Sequence, residues 1–387
     1  MKKEMIASKV RGIPPSGIRK FFDIASQMND VISLGVGEPD FDTPWHIREE
    51  GIYTLEKGKT VYTSNSGLLE LRQEISTYLS RRFDISYNPQ DQILVTVGGS
   101  EAIDLALRAV LNPGDEVLIP EPCFVSYKPC TILAGGAPVT ITTKAENDFR
   151  LTPEELERAI TDKTKVLILP YPNNPTGGIM EKEDLEKIAD VIRGKDILVL
   201  SDEIYAELTY GRNHISIASL PGMYDTTVVI NGFSKAYSMT GWRMGYAAGP
   251  KELIAAMTKI HQYAIMCAPT TSQYAGIEAL KNGDDAVAEM REAFDSRRKF
   301  IVNGFRNIGM DCFEPLGAFY VFPSIKKSGL TSEEFCSKLL YEEKVAVVPG
   351  TAFGDCGEGF IRCSYAYSID NIKEALKRIG KFMEQFQ

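Results

Sequence analysis

Histidine is scarce in this chain. His46, His214 and His261 are the only three in 387 residues, and they share no motif. That scarcity weakens any serine or cysteine hydrolase built on a histidine base; each histidine reads as a surface or packing residue. The seven cysteines (123, 130, 267, 312, 336, 356 and 363) are odd in number and scattered, with no CxxC pair. Neither a disulfide framework nor a zinc site is expected, and the thiols fit a reduced, cytoplasmic setting. No apolar run approaches the ~18 residues of a spanning helix. Lys2 and Lys3 open the chain with no apolar stretch behind them, so neither a signal peptide nor a membrane partner is expected. No GxGxxG stands at a strand–helix junction, which argues against a nicotinamide dinucleotide site. With 43 basic residues against 52 acidic, net −9, there is no electrostatic footprint for nucleic acid. Local anion sites remain open, through a few placed arginines and backbone amides.

What is present is a regular alternation. Short apolar runs at Ile93–Val97, Glu116–Ile119, Pro138–Thr142, Lys165–Leu169, Ile197–Leu200, Val228–Asn231 and Met244–Ala247 read as strands. Amphipathic stretches at Leu68–Arg82, Glu101–Leu111, Val125–Leu133, Pro153–Ile160 and Lys182–Ile192 read as helices between them. Such alternation predicts an α/β layer structure around a mostly parallel sheet, with helices on both faces. Thr152-Pro153-Glu154-Glu155 is a helix-start signal, with Thr as cap, Pro at the first position and Glu three residues on. The pattern changes after Lys251. A long helical stretch runs towards Asn307 with one break at Asn282-Gly283. It is followed by a strand (Ala318–Phe322), a helix opened by Thr331-Ser332-Glu333-Glu334, strands near Val345–Val348 and Phe360–Tyr365, and a last helix over Ile369–Phe386. This predicts a smaller α+β domain. At ~100–200 residues per domain the length suits two: a large one over 45–285, and a small one made of 1–44 with 286–387. The segment before Trp45 is too short to fold alone and is expected to pack on the second domain or on a partner subunit.

Two residues carry the chemistry. Asp202 closes the apolar strand Ile197–Leu200, and in open α/β sheets ligands sit beyond the carboxyl ends of strands. A carboxylate there is costly to bury without a cation. Lys235 follows the strand Val228–Asn231 and so belongs to the same edge. Flanked by Phe233, Ser234, Tyr237 and Trp242, its amine can be desolvated into a nucleophile. A lysine that forms an imine and an acid paired with a ring nitrogen are the two parts that pyridoxal phosphate (PLP) chemistry requires. A phosphate site should accompany them. Val97-Gly98-Gly99-Ser100-Glu101 joins a strand to a helix start, where glycine allows close approach and the helix N-terminus favours an anion. Ser234 and Arg243 could complete the cradle. Tyr171-Pro-Asn-Asn-Pro-Thr-Gly-Gly178 follows another strand and reads either as a turn or as a polar ligand contact.

These residues resemble the class I and II aminotransferases of PLP fold type I. The matching motifs are Gly35-Val-Gly-Glu-Pro-Asp-Phe41, Tyr62-Thr-Ser-Asn-Ser-Gly67, Asn173-Asn-Pro-Thr-Gly177, Ser201-Asp-Glu-Ile-Tyr205, Ser234-Lys235 with Gly241-Trp-Arg-Met-Gly245, and Arg362 in Phe360-Ile-Arg-Cys-Ser364, with Val348-Pro-Gly-Thr-Ala-Phe-Gly354 besides. They keep the family's order from about Gly35 to Arg362. The branch resembled holds aspartate, aromatic and N-acetyl-diaminopimelate aminotransferases.

The resemblance implies a role for each site residue. Lys235 would be the Schiff-base lysine, Asp202 the partner of the pyridinium nitrogen, and Tyr205 with Asn174 the partners of the ring hydroxyl. Phe124 would stack on the ring. Gly99, Ser100, Ser234 and Arg243 would hold the phosphate, and Tyr62 would reach it from the neighbouring subunit of a homodimer with shared active sites. Arg362 would clamp the substrate carboxylate, helped by Asn174 and the backbone at Gly37. The implied reaction moves the α-amino group of an L-amino acid, aromatic, aspartate or similar, to a 2-oxo acid such as 2-oxoglutarate by ping-pong kinetics.

The same core residues would serve a PLP-dependent β-lyase of the C–S lyase type or a cyclopropane amino acid synthase, so these stand as alternatives. A non-enzymatic effector module fused to a DNA-binding domain would need a basic helix-turn-helix, and the 44 residues before Trp45 are mixed in charge. Dicarboxylate specificity would need a second cation, which the sequence does not place. Ile13-Pro-Pro-Ser-Gly-Ile18 is expected to line the side-chain pocket and suits an apolar group.

Overall fold

The computed structural model describes residues 5–15, 17 and 28–386. A single helical turn α1 (Ser8–Arg11), a two-residue strand β1 (Ile32–Ser33) and helix α2 (Trp45–Glu56) precede the main layers. Seven strands then form one sheet: β2 (Ile93–Thr96), β3 (Glu116–Glu121), β4 (Ala137–Thr142), β5 (Thr164–Leu169), β6 (Leu198–Asp202), β7 (Thr227–Gly232) and β8 (Gly245–Ala248), in the order β2-β8-β7-β6-β5-β3-β4. β8 is antiparallel to both its neighbours. The other six therefore point one way, and the expected mostly parallel sheet is what forms.

Successive residues feed opposite faces, as the two-residue period of a strand demands. Val95 and Val229 join a core with Ile75, Leu79 and Phe233, under helices α3 (Leu69–Phe83) and α9 (Thr270–Asn282). Leu94, Val228 and Ile230 enter a second core with α4 (Gly99–Val110) and α8 (Lys251–Ala264). Leu118, Leu167 and Val199 pack beneath α7 (Lys182–Ile192). Burial on both sides is why these strands read as continuous apolar runs. The start signal at Thr152 is realised as a full capping box at the head of α6 (Pro153–Ala159), and Thr331 with Glu334 makes another on α11 (Ser332–Glu343). Helix α5 (Tyr127–Ala134) follows β3.

A second set of elements sits beside the sheet. β1 pairs in parallel with β10 (Val345–Ala346), so part of the N-terminal segment joins this set. β11 (Val348–Pro349), β12 (Ile361–Ser364) and β9 (Tyr320–Val321) make a small antiparallel sheet in the order β11-β12-β9. α11 and α12 (Ile369–Met383) cover it. The long helix α10 (Asp284–Asn307) bridges the two cores: Val287 lies in one, and Phe294, Ile301 and Phe305 in the other.

Helix α2 was not expected from the sequence, and several expected elements differ in extent. The helical stretch after Lys251 breaks twice, not once. The additional break, residues 265–269, has Met266 at φ +76° and ends at Pro269, which disfavours helical backbone in the residue before it. The strand expected over Ala318–Phe322 shrinks to β9, with Ala318 at φ +56° just ahead of it. The last α-helix stops at Met383 and continues as a 3₁₀ turn to Phe386. Among the described residues no helix is long and apolar enough to cross a membrane.

Candidate active site

The carboxyl edge of the main sheet gathers one residue set after another. β2 ends into Gly98-Gly99 at the head of α4, β3 into Phe124, β5 into Asn174, β6 at Asp202, and β7 into Ser234 and Lys235. β8 runs the opposite way, so its first residues, just after Arg243, lie at this same edge. Gly37, Gly99, Ser100, Phe124, Asn174, Asp202, Tyr205, Ser234, Lys235, Arg243 and Arg362 all line one cavity of about 710 Å³. A second cavity of about 750 Å³, bounded by Phe149, Phe313, Phe322 and Phe360, contains none of them.

Tyr62 is the expected site residue that this cavity does not include; it is 78% exposed. Ser16 and Ile18 of the expected side-chain pocket lie outside the described residues. Ile13, Pro14, Pro15 and Gly17 are absent from the cavity wall, and a Cβ on Gly17 would meet Ala352 at 3.3 Å.

Lys235 is partly buried, and its Nζ donates to the carbonyl of Gly37 at 2.7 Å. Burial lowers its pKa to about 8; Glu38 opposes the shift, while Arg362 and Arg243 add to it. Asp202 is 8% exposed. One oxygen accepts the Tyr127 hydroxyl at 2.7 Å and the other the Ile204 amide at 3.2 Å. Burial raises its pKa, against the pull of those two donors. No lysine or arginine among the described residues pairs with it.

The residues expected to cradle a phosphate lie close together around two glycines. Gly98 sits at φ +80°, and a Cβ there would meet the Arg243 guanidinium at 2.7 Å. A Cβ on Gly245 would run into the Gly98-Gly99 backbone, so glycine at these positions lets β8 and the turn close on each other. Arg243 is exposed, donates only to the Thr240 carbonyl, and forms no ion pair among the described residues.

Arg362, 2% exposed, is held at two of its nitrogens. Nη1 donates to Asn174 Oδ1 at 2.9 Å and Nη2 to the Gly35 carbonyl, while Nε has no partner among the described residues. Its guanidinium lies between the rings of Tyr320 (4.5 Å) and Phe353 (4.8 Å). The structure therefore gives Asn174 to Arg362, whereas Tyr205 bonds Tyr320, hydroxyl to hydroxyl, at 2.9 Å.

Among the wall residues given no role from the sequence are Tyr127, Glu38 and Tyr320. Glu38 stood inside the motif Gly35–Phe41, and Tyr127 inside the helix expected over Val125–Leu133. Tyr320 lay inside the strand expected over Ala318–Phe322, with no neighbouring residue to mark it as part of the site.

The residues fit PLP. A desolvated amine, a buried carboxylate lacking a cation, and an unpaired arginine beside a glycine turn at a helix N-terminus match in turn an aldehyde, a ring nitrogen that carries a proton, and a phosphate. Fold and site together define a PLP-dependent transferase of fold type I. The chain belongs to the aminotransferase class I and II family, which it matches over residues 29–379, and it is an enzyme, a transaminase. It is 55% identical over 98% of both chains to YugH of Bacillus subtilis (strain 168), provisionally described as an aminotransferase. It is 48% identical to an aspartate aminotransferase of Pyrococcus abyssi, over 96% of this chain and 97% of that one. A crystal structure of an aromatic aminotransferase from Pyrococcus horikoshii OT3 superposes with a TM-score of 0.91 at 46% identity, covering 94% of this chain and 99% of the other.

Proposed function

We propose that this aminotransferase moves the α-amino group of an L-amino acid with an apolar or aromatic side chain, or of aspartate, to a 2-oxo acid such as 2-oxoglutarate, by a ping-pong mechanism. The observation that carries the reading is Arg362, a buried guanidinium on the same cavity as Lys235 and Asp202, whose Nε has no hydrogen-bond partner among the described residues. It would hold the α-carboxylate common to both substrates. PLP, when bound, supplies a ring that withdraws the electron pair left as the Cα proton departs. Lys235 would anchor the cofactor covalently and, with its amine free, would take and return that proton as general base and acid. Asp202 would keep the ring nitrogen protonated. Tyr205 would donate to the ring hydroxyl, Phe124 would stack on the ring, and Gly99, Ser100, Ser234 and Arg243 would bind the phosphate.

The cavity wall supports the apolar end of the substrate range. Ile103, Phe124 and Ile204 line it, and among the described residues its lysine and arginine side chains are Lys235, Arg243 and Arg362, each already given a role. Aspartate would need a cation from elsewhere. A homodimer with shared sites could supply further residues, Tyr62 among them. In its favour, Trp45, Leu55, Val61, Tyr62 and Tyr263 are 58–85% exposed. The segment bearing Val61 and Tyr62 is tied to the break after α8 by Asn65 Nδ2 donating to the Met266 carbonyl, and to α9 by Thr270 Oγ1 donating to the Val61 carbonyl. Exposed apolar side chains gathered on a surface can mark an interaction site. The two-part division at about residue 285, with 1–44 assigned to the small part, is also our proposal; the β1–β10 pairing supports it.

Holoenzyme mixed with single amino acids and no oxo acid should convert its visible band to the pyridoxamine absorbance, fastest for aromatic and large apolar donors. Arg362→Leu should lower the second-order rate of that conversion roughly 10- to 150-fold, the worth of a charge-assisted contact of about 1.5–3 kcal/mol. A parent that converts only when an oxo acid is also present would contradict ping-pong transfer. An unchanged rate in Arg362→Leu would remove the clamp from the account.

A further inference from the structure

Tyr320 takes no part in the roles given above, yet it touches three of the groups that do. It is fully buried on β9, next to the strand that carries Arg362, with Ser364 as its cross-strand partner. Its hydroxyl lies 2.9 Å from that of Tyr205. Its ring lies under the Arg362 guanidinium. A Cβ on Gly37 would fall 2.3 Å from the Tyr320 hydroxyl, so residue 37, whose carbonyl accepts from Lys235, must lack a side chain for that hydroxyl to reach Tyr205.

We propose that Tyr320 is a positioning residue whose hydroxyl donates to Tyr205, turning the single Tyr205 proton towards the cofactor's ring hydroxyl, while its ring supports Arg362. The inference rests on the roles proposed for Tyr205 and Arg362. Its logic is a proton count. Burial raises the pKa of both phenols, so each keeps one proton, and only one of them can donate across the 2.9 Å contact. A Tyr205 that gives its proton to the ring hydroxyl must be the acceptor, and Tyr320 the donor. Accepting that bond makes Tyr205 a stronger donor in turn, since linked hydrogen bonds polarise one another. The charged groups around the pair are Arg362, Asp202, Lys235 and Glu38. A side chain of the small sheet thereby links the residue that binds substrate carboxylate to the residue that sets the charge on the cofactor ring.

The test is a visible pH titration of the holoenzyme without substrate. In Tyr320→Phe the ring stays and the donated proton is lost. Tyr205 then donates more weakly, more negative charge remains on the ring oxygen, and the neighbouring nitrogen contributed by Lys235 holds its proton to higher pH. The midpoint should rise by about 0.5–1 unit, the worth of one neutral hydrogen bond, and Tyr205→Phe/Tyr320→Phe should titrate like Tyr205→Phe alone. The apparent Kd for 3-phenylpropionate, an unreactive carboxylate, should stay near the parent value in Tyr320→Phe. In Tyr320→Leu, which also loses the ring beneath Arg362, it should rise about 5- to 30-fold. An unmoved midpoint in Tyr320→Phe, or a shift that persists in the Tyr205→Phe background, overturns the proposal while leaving the site assignments standing. A parent holoenzyme with no covalently bound, titrating chromophore overturns those assignments and this proposal together.

Discussion

Replacing Lys235 by alanine should reduce turnover by about 10⁴-fold or more, because general acid–base catalysis alone is worth roughly 10²–10⁴ and the covalent anchor is lost as well. The fold should survive, since among the described residues Lys235 Nζ makes one hydrogen bond, to the Gly37 carbonyl at the cavity wall. Equal melting temperatures for the two cofactor-free proteins would show this. The lowered pKa adds a signature. Below about 8 the amine is protonated and not nucleophilic; above it the neutral form dominates. The rate at which cofactor-free protein captures PLP should therefore climb with pH and level off near 8, well short of an ordinary lysine. Capture that still climbs at pH 10, or a Lys235→Ala variant retaining a tenth of the parent rate, would exclude this lysine from the role.

Asp202→Asn should have opposite effects on activity and stability. In the holoenzyme it removes the charge opposite the ring nitrogen; breaking a buried ion pair costs about 3–5 kcal/mol, so kcat should fall roughly 10²–10⁴-fold. Without cofactor the same change should stabilise, since Asp202 is then a buried carboxylate with no cationic partner, and Asn keeps an oxygen to accept from Tyr127. The sign follows from the raised carboxyl pKa. Below the unfolded value of 3.8 both states are protonated and the penalty is absent; it grows as pH rises from there through the higher folded value. The cofactor-free variant should thus melt above the parent at pH 7 and level with it near pH 3. A variant that loses stability at pH 7 without cofactor would mean that Asp202 is held by its own surroundings and is not waiting for a cation.

The sheet was legible in the sequence because its strands are buried on both faces, which leaves unbroken apolar runs such as Val166–Leu169 and Val228–Ile230. Their carboxyl ends located Asp202 and Lys235, and parallel topology did the rest. Helix α2 was not legible. Its buried positions are Ile47, Gly51 and Thr54, while Trp45, Ile52, Tyr53 and Leu55 face outward, so it shows no stripe of the usual kind. An apolar side turned away from its own core is what a partner-facing helix would display. Tyr320 and Tyr127 escaped for a different reason: each acts through another side chain, and contacts between residues 205 and 320, or 127 and 202, have no local pattern. Arg362 was found by motif, but its placement between Tyr320 and Phe353, and its bond to Asn174, appear only once the small sheet closes on the large one.

Everything proposed for the site depends on which amine carries the cofactor. Reducing the holoenzyme with borohydride, digesting it and weighing the peptides answers that directly. The mass of the reduced cofactor should lie on Lys235, in a single peptide, and the visible band should be lost in proportion. A label on any other lysine, or a cofactor that dialyses away after reduction, would contradict the account at its centre.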